Sequence, residues 1–124
     1  MKFYICKHCG NVITRLTSSG APIHCCGEEM QLLEAGVVEA AVEKHIPIVK
    51  VDGASVQVAV GAVTHPMTAE HSIQWIALVT ERDAQIHWLN PGEAPEALFA
   101  LAQGQKAKMV YAYCNLHGLW KAEV

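Results

Sequence analysis

Residues 111–120, YAYCNLHGLW, join the end of an alternating strand to a turn that carries one cysteine and one histidine. Tyr111 and Tyr113 alternate with alanine before Cys114, and His117 follows three positions later. This spacing puts a soft and a borderline metal ligand at chelating distance on a loop that leaves a strand. Because Cys114 is far from every other cysteine, the stretch predicts a metal ligand or a reactive thiol displayed by a β scaffold.

The segments around this stretch also predict β structure. From Val37 onward, short Val-rich runs alternate with turn signals, and Asp52-Gly53 between two apolar runs predicts a β-hairpin. We expect further strands in HSIQWIALVT, AQIHWL, ALFALA and KAKMVYAYC, the last with a slip or bulge near its start. EAPEALFALAQG has room for a helical turn or two. The spacing of these runs favours an antiparallel β-sandwich of about 85 to 90 residues.

The composition excludes several classes of function. Of the 124 residues, 52% are hydrophobic, but charges break the apolar stretches well before the ~20 residues that a membrane span requires. The net charge is −3 and the nine Lys and Arg residues are scattered, so no basic footprint for nucleic acid is present. The first residues, MKFYICKHCG, carry no apolar leader. We therefore expect a cytoplasmic protein that binds neither nucleic acid nor membrane.

Five cysteines are an odd number, which favours metal ligands or reactive thiols over disulfides in a reducing compartment. Cys6 and Cys9 form a Cys-x-x-Cys knuckle closed by Gly10, in which backbone amides point at the thiolates. Cys25 and Cys26 are adjacent, so the chain must twist for both to reach one ion. Four thiolates suit zinc or iron. A bare four-cysteine site favours a structural zinc ribbon, although the adjacent pair departs from the ribbon pattern.

Histidine is the second unusual count, with seven residues. Four of them lie at expected strand edges or in loops: His45, His65, His71 and His117. Any one of these alone would be interpreted as an ordinary surface or hydrogen-bonded histidine, and His8, His24 and His87 are interpreted in that way. His117 differs because it follows Cys114 at chelating spacing, which makes a metal site the alternative interpretation.

Five motifs together resemble one family. CKHCG, HCCGEEM, EKHIP, HPM with HSIQWI, and CNLHGLW occur in the order and spacing of the desulfoferrodoxins, the two-iron superoxide reductases. The resemblance covers essentially the whole chain. It implies a mainly β protein with a desulforedoxin-like Fe(Cys)4 domain in residues 1–36, too short to fold without its metal. An immunoglobulin-like antiparallel β-sandwich with a second iron would follow in residues 37–124.

The resemblance also implies a ligand set for each iron. The ligands of the first iron would be Cys6, Cys9, Cys25 and Cys26, with zinc as the substitute metal at this site. The equatorial ligands of the second iron would be His45, His65, His71 and His117, with Cys114 on the axis opposite the open position.

The activity implied by the resemblance is the one-electron reduction of superoxide to hydrogen peroxide without evolution of oxygen, a detoxification reaction in oxidative stress. Lys44 would attract the superoxide anion, and Glu43 would close the sixth position in the oxidised resting state. Outside this motif, a Glu-Lys pair would be interpreted as an ordinary surface pair. Ser72 stands where many relatives carry an aromatic residue, so packing beside His71 is expected to differ.

The resemblance further implies a homodimer and an electron donor such as rubredoxin. The first iron would either transfer electrons or serve mainly to hold the structure together. Two other functions remain open at this level. One is an iron-binding electron carrier or redox sensor of the same fold, and the other is a zinc-stapled β-sandwich interaction module.

Overall fold

The computed structural model describes all residues 1–124. The chain forms two compact units, Met1–Glu34 and Ala35–Val124, a division two residues before the boundary expected from the sequence. Twelve strands and one four-residue helix make it mainly β. This helix is far too short to cross a bilayer, and no helix of membrane-spanning length and hydrophobicity is present.

The first unit is built from short strands around very few buried side chains. Its strands are β1 (Phe3–Ile5), β2 (Val12–Thr14), β3 (His24–Cys25), β4 (Glu28–Glu29) and β5 (Gln31–Leu32). Strands β2, β1 and β5 form an antiparallel sheet, and β3 pairs with β4. Only Phe3, Cys6 and Met30 are buried in this unit. Such a small core cannot stabilise the unit alone, so bound metal must contribute to its folding.

The second unit is a seven-stranded antiparallel sandwich preceded by a short helix. Its elements are α1 (Val42–His45), β6 (Pro47–Asp52), β7 (Ser55–Val60), β8 (Ile73–Val79), β9 (Ala84–Trp88), β10 (Glu96–Ala100), β11 (Met109–Cys114) and β12 (Gly118–Glu123). One sheet has the order β10-β7-β6 and the other β12-β11-β8-β9. The division into three and four strands is that of an immunoglobulin constant-type sandwich, as expected.

Strict alternation places the core between the two sheets. Val56, Val58 and Val60 on β7 are fully buried, while the residues between them are not. They pack in one cluster with side chains of the opposite sheet, including Ile76 and Val110. Because side chains of a strand alternate between its faces, these valines fix which face of β7 is turned inward.

The hairpin predicted at Asp52-Gly53 is confirmed, with its turn displaced by one residue. Asp52 pairs with Ser55, so the two-residue turn consists of Gly53 and Ala54. Gly53 has a φ of 59° at the first turn position, where type II′ turns require glycine.

Three local expectations are wrong. The irregularity of β11 lies at its end, between Tyr113 and Cys114, because the strand leaves its regular register where the cysteine turns toward the cluster of histidines. Lys106 and Lys108 precede the strand instead of belonging to it. The segment with room for a helical turn forms β10, where alternating burial against β7 overrides helix propensity.

Antiparallel pairing brings several strand ends to one end of the sandwich. Pro47, the first residue of β6, pairs with Val60, the last residue of β7. In the other sheet, Cys114 at the end of β11 pairs with Ile73 and Gly118, which begin β8 and β12. The connection between β7 and β8 joins the two sheets at this same end.

Gly61 lets this connection approach α1 closely. A Cβ at Gly61 would lie 2.7 Å from the backbone oxygen of Glu43 and 2.9 Å from that of Ile46. The backbone amide of Val63 donates to the same Glu43 oxygen at 2.8 Å. A glycine is therefore required where the chain passes the helix that ends in His45.

We predict that Gly61→Ala lowers the free energy of unfolding of the second unit by roughly 1–3 kcal/mol, since backbone atoms must move to admit the methyl group. It should also loosen metal bound near His45. Gly104→Ala is the control, because its Cβ meets no atom within 4 Å and only the positive φ of 80° is strained. Urea titration and metal analysis of both variants test this. Unchanged metal retention in Gly61→Ala would contradict the steric argument.

Two candidate metal centres

The four cysteines of the first unit lie close enough to bind one ion. Their sulfur atoms are all within 4.8 Å of one another. Sγ of Cys25 is 3.6 Å from that of Cys9 and 4.0 Å from that of Cys26. Metal–sulfur bonds of about 2.3 Å in a tetrahedron place neighbouring sulfurs about 3.8 Å apart. The observed spacing therefore fits a tetrathiolate metal site.

The first half of this centre is the knuckle predicted from Cys-x-x-Cys-Gly. The amide of Gly10 donates to the Cys6 carbonyl at 2.9 Å, and Gly10 has a φ of 81°. The backbone amide of Cys9, against the effect of burial and with help from that of His8, lowers the pKa of Cys6 to about 6. The turn therefore stabilises a thiolate at neutral pH, as the sequence predicts.

The second half solves the problem of two adjacent cysteines. Cys26 is the only residue other than glycine with a positive φ, 54°, a left-handed conformation that costs roughly 1–2 kcal/mol. This twist brings both side chains to the same cluster. Hydrogen bonds with the thiols of Cys9, Cys6 and Cys25 raise the pKa of Cys26 to about 12. Four thiolates can therefore coexist here only beside a cation.

The second group of candidate ligands assembles at the end of the sandwich described above. His45 is the last residue of α1, and Cys114 is the last residue of β11. His65 and His71 lie in the connection from β7 to β8, and His117 lies in the turn from β11 to β12. The fold thus brings together all five residues that the sequence indicated for this centre.

The four imidazoles of this centre lie at the corners of a square. Neighbouring ring centroids are 4.6 Å apart for His45–His65, 4.7 Å for His65–His71, 5.0 Å for His71–His117 and 4.9 Å for His45–His117. The diagonal from His45 to His71 is 6.4 Å, and each ring is nearly perpendicular to its neighbours. Sγ of Cys114 lies 3.9 Å from Nδ1 of His117. The cluster therefore offers four nitrogens and one sulfur.

Two of these nitrogens carry no hydrogen and face each other. Nδ1 of His45 donates to the Ala41 carbonyl at 2.7 Å, and Nδ1 of His65 donates to the Pro66 carbonyl at 2.6 Å. Each of these bonds leaves the Nε2 atom of its ring without a hydrogen. The two Nε2 atoms are nevertheless only 3.1 Å apart. A shared cation removes this repulsion, and nitrogens bound to one ion at about 2.1 Å and 90° lie about 3.0 Å apart.

Burial favours the uncharged form of four side chains in this centre. It lowers the pKa of His65 to about 4 and lowers the pKa values of His45 and His71, so these three imidazoles are neutral at pH 7. Burial also raises the pKa of the Cys114 thiol, whose proton a bound metal would displace. Nε2 of His71 is buried without a hydrogen-bond partner, which fits an atom that ligates a metal.

Solvent reaches only part of this cluster. Cys114, His45 and His65 are buried, whereas His71 and His117 are half-buried. Lys44 is half-buried and Glu43 is exposed on the helix that carries His45. The Lys44 ammonium adds to the effect of burial in lowering the pKa values of both His45 and His71, so its charge acts on the centre.

Sequence reasoning missed the groups that hold these rings in place. The indole Nε1 of Trp120 donates to the carbonyl of His117 at 3.1 Å, and its ring lies 4.9 Å from the ring of His45. Of these groups, only Trp120, in HGLW, could have been noticed in the sequence. The carbonyls that fix His45 and His65 could not, because every residue has a backbone carbonyl. Outside both centres, His8 pairs with Glu28 at 3.1 Å near the surface.

A β-sandwich with a four-imidazole, one-thiolate cluster at one end, together with a separate tetrathiolate unit, defines a two-centre metalloprotein. The family model described as desulfoferrodoxin matches residues 37–123. Desulfoferrodoxin from Nitratidesulfovibrio vulgaris is 44% identical over 124 residues, which cover 98% of this chain and 95% of the relative. The chain belongs to the desulfoferrodoxin family, and its two ligand groups match the Fe(Cys)4 and Fe(His)4Cys sites of that resemblance.

Solved structures agree with this membership. The superoxide reductase from Treponema pallidum is similar with a TM-score of 0.83 and 38% identity, and the match covers 98% of each chain. A one-iron superoxide reductase from Giardia intestinalis is similar with a TM-score of 0.57 and 33% identity. That match covers 66% of this chain and 97% of the other.

We predict that the two centres lose metal independently, because their ligands lie in separate units. Cys114→Ser should reduce bound metal from about two ions to about one per chain and leave the absorption of the tetrathiolate centre intact. Cys9→Ser should instead remove the metal of the tetrathiolate centre and leave the metal of the second centre in place. Metal analysis with absorption spectroscopy of both variants tests this. Loss of both ions in Cys114→Ser would contradict the assignment of Cys114 to the second centre alone.

Proposed function

We infer that this chain is a superoxide reductase, an oxidoreductase that reduces superoxide to hydrogen peroxide at a non-haem iron centre. The observation that supports this most strongly is the square of four imidazoles with one buried thiolate at the end of the sandwich. Family membership supports the same activity. Removal of superoxide makes the protein a detoxifying enzyme in oxidative stress.

The proposed ligands follow from the two clusters. At the second iron they are His45, His65, His71, His117 and Cys114. At the first iron they are Cys6, Cys9, Cys25 and Cys26. We propose the unit of residues 1–36 as the Fe(Cys)4 domain and residues 37–124 as the catalytic domain.

The reaction takes up one electron and two protons for each superoxide converted to hydrogen peroxide. When bound by these five side chains, ferrous iron would supply the electron and bind superoxide. The backbone carbonyls of Ala41 and Pro66 hold the rings of His45 and His65 in the tautomer that presents Nε2. Because His71 and His117 are half-buried, water can reach the cluster on their side and provide the protons.

We propose that Lys44 attracts the superoxide anion, which fits an ammonium whose charge acts on His45 and His71. Its hydrogen-bonded water would also deliver protons. Glu43, exposed one residue before it, is proposed to close the sixth position in the oxidised resting state.

The proposal also includes a second copy of the chain, an electron donor and a location. A homodimer and a small electron-donor protein such as rubredoxin are proposed from the family resemblance, with the first iron either passing electrons or stabilising its unit. A cytoplasmic location agrees with five cysteines that form no disulfide. Sedimentation of the metal-loaded chain tests the dimer, and stopped-flow reduction by rubredoxin tests the donor.

We predict that reduced, iron-loaded protein with a continuous electron donor forms about one hydrogen peroxide per superoxide and releases no oxygen, as a one-electron reduction requires. The measurement is the yield of peroxide and oxygen in a sealed cell. Oxygen at half the superoxide consumed, independent of the donor, would mean dismutation. No acceleration above the uncatalysed reaction would favour an electron carrier or redox sensor of the same fold.

We also predict that Lys44→Ala slows the reaction with superoxide about tenfold and weakens its dependence on ionic strength, because one steering charge is lost. Lys50→Ala is the matched control, an exposed lysine on β6, and should retain the rate. Pulse radiolysis at several salt concentrations measures both. Equal rates in Lys44→Ala and wild type would remove Lys44 from the proposal.

Glu43→Gln should retain the superoxide rate but change the spectrum of the oxidised centre.

A further inference from the structure

His71 is held differently from two other imidazoles of the second centre, those of His45 and His65. His45 and His65 each have a ring nitrogen fixed by a carbonyl oxygen. No corresponding bond is seen on the His71 ring, and its buried Nε2 has no hydrogen-bond partner. The ring lies beside His65 and His117 at centroid distances of 4.7 and 5.0 Å. Something other than a bond to the ring must therefore fix its position.

The side chain of Asn115 bonds to the residues on both sides of His71. Its Oδ1 accepts from the backbone amide of Ser72 at 2.9 Å, and its Nδ2 donates to the carbonyl of Glu70 at 2.9 Å. The backbone amide of Asn115 also donates to the Ser72 carbonyl at 3.2 Å. Since Asn115 directly follows Cys114, these bonds join the loop of one proposed ligand to the strand end of another.

Thr68 also bonds to the backbone of His71, from within the same loop. Its Oγ1 accepts from the backbone amide of His71 at 3.1 Å, and its backbone amide donates to the His71 carbonyl at 2.9 Å. Thr68 and His71 belong to the same loop, so their bonds shape the loop but do not place it. The bonds of Asn115 attach it to the residue that follows β11, next to the pairing of Cys114 with Ile73.

We propose that Asn115 is a positioning residue of the second centre, whose side-chain amide fixes the backbone of His71 relative to Cys114. The amide is suited to this because it is a donor and an acceptor at once. It donates to the residue before His71 and accepts from the residue after it. Aspartate retains the acceptor but loses the donor and sets a charge against the Glu70 carbonyl. Alanine loses both. This inference rests on the ligand set of the proposed function.

The test is the rate at which each centre of the full, iron-loaded chain loses metal to a chelator, followed by the separate absorption of the two centres. Removal of a group that orients a metal ligand typically costs 10–100-fold in affinity. Asn115→Ala should therefore release metal from the second centre about 10–100-fold faster than wild type. The tetrathiolate centre should lose metal at the wild-type rate.

Three comparisons make the test specific. Gln85→Ala is the control, because its Nε2 donates to the carbonyl of Ala100 at 2.8 Å and it pairs with Leu78, near the end of β8 opposite Ile73, and it should behave as wild type. Asn115→Asp should release metal faster than wild type while it keeps the Ser72 bond. In a His71→Ala background, Asn115→Ala should have little further effect, since the proposed action passes through His71.

Failure of this inference is distinguishable from failure of the proposed function. A wild-type chain that binds no metal at the second centre would overturn the proposed function. If wild type binds metal there and Asn115→Ala releases it at the wild-type rate, only the positioning role is overturned. Should Asn115→Ala lose metal equally from both centres, Asn115→Asp decides. Its effect must be confined to the second centre and absent in the His71→Ala background, or the inference is wrong.

Discussion

The second centre depends on two imidazole nitrogens that face each other without a hydrogen between them. Nε2 of His45 and Nε2 of His65 are 3.1 Å apart, and both rings already use Nδ1 to donate to a backbone carbonyl. Two lone pairs at this distance repel unless a cation lies between them. The fold therefore presents both nitrogens to one cation, and burial lowers the pKa of His65, which disfavours a proton as the substitute.

The sandwich can tolerate this cluster of polar side chains because its apolar core is separate from the site. The interior between the sheets is a cluster of buried aliphatic side chains, and Cys114 is its one member that also belongs to the metal cluster. The remaining candidate ligands come from α1 and from loops at one end. Loops held by a rigid scaffold can carry polar groups whose cost the core offsets. Gly61 and Asn115 connect those loops to the scaffold, the first by close approach and the second by hydrogen bonds.

The first unit follows the opposite strategy, since it has almost no core to offset strain. Cys26 adopts a left-handed conformation, and the raised pKa of its thiol shows that the cysteines cannot all be charged alone. Metal binding stabilises both features at once. A unit of this size is thus folded by its ligand chemistry, whereas the second unit is folded by its apolar face and uses ligand chemistry for function.

The sequence by itself determined the ligand types, their order along the chain and most strands of the scaffold. Alternation predicted most strands of the sandwich, and Cys-x-x-Cys-Gly predicted the knuckle. The tertiary structure alone decided how His45 meets His117, 72 positions away, and which carbonyl fixes each ring. It also decided the place of the β11 irregularity and the clamp of Asn115 on the His71 loop. The physical reason is that distances between strand ends follow from sheet pairing and packing, and backbone carbonyls carry no signal in the sequence.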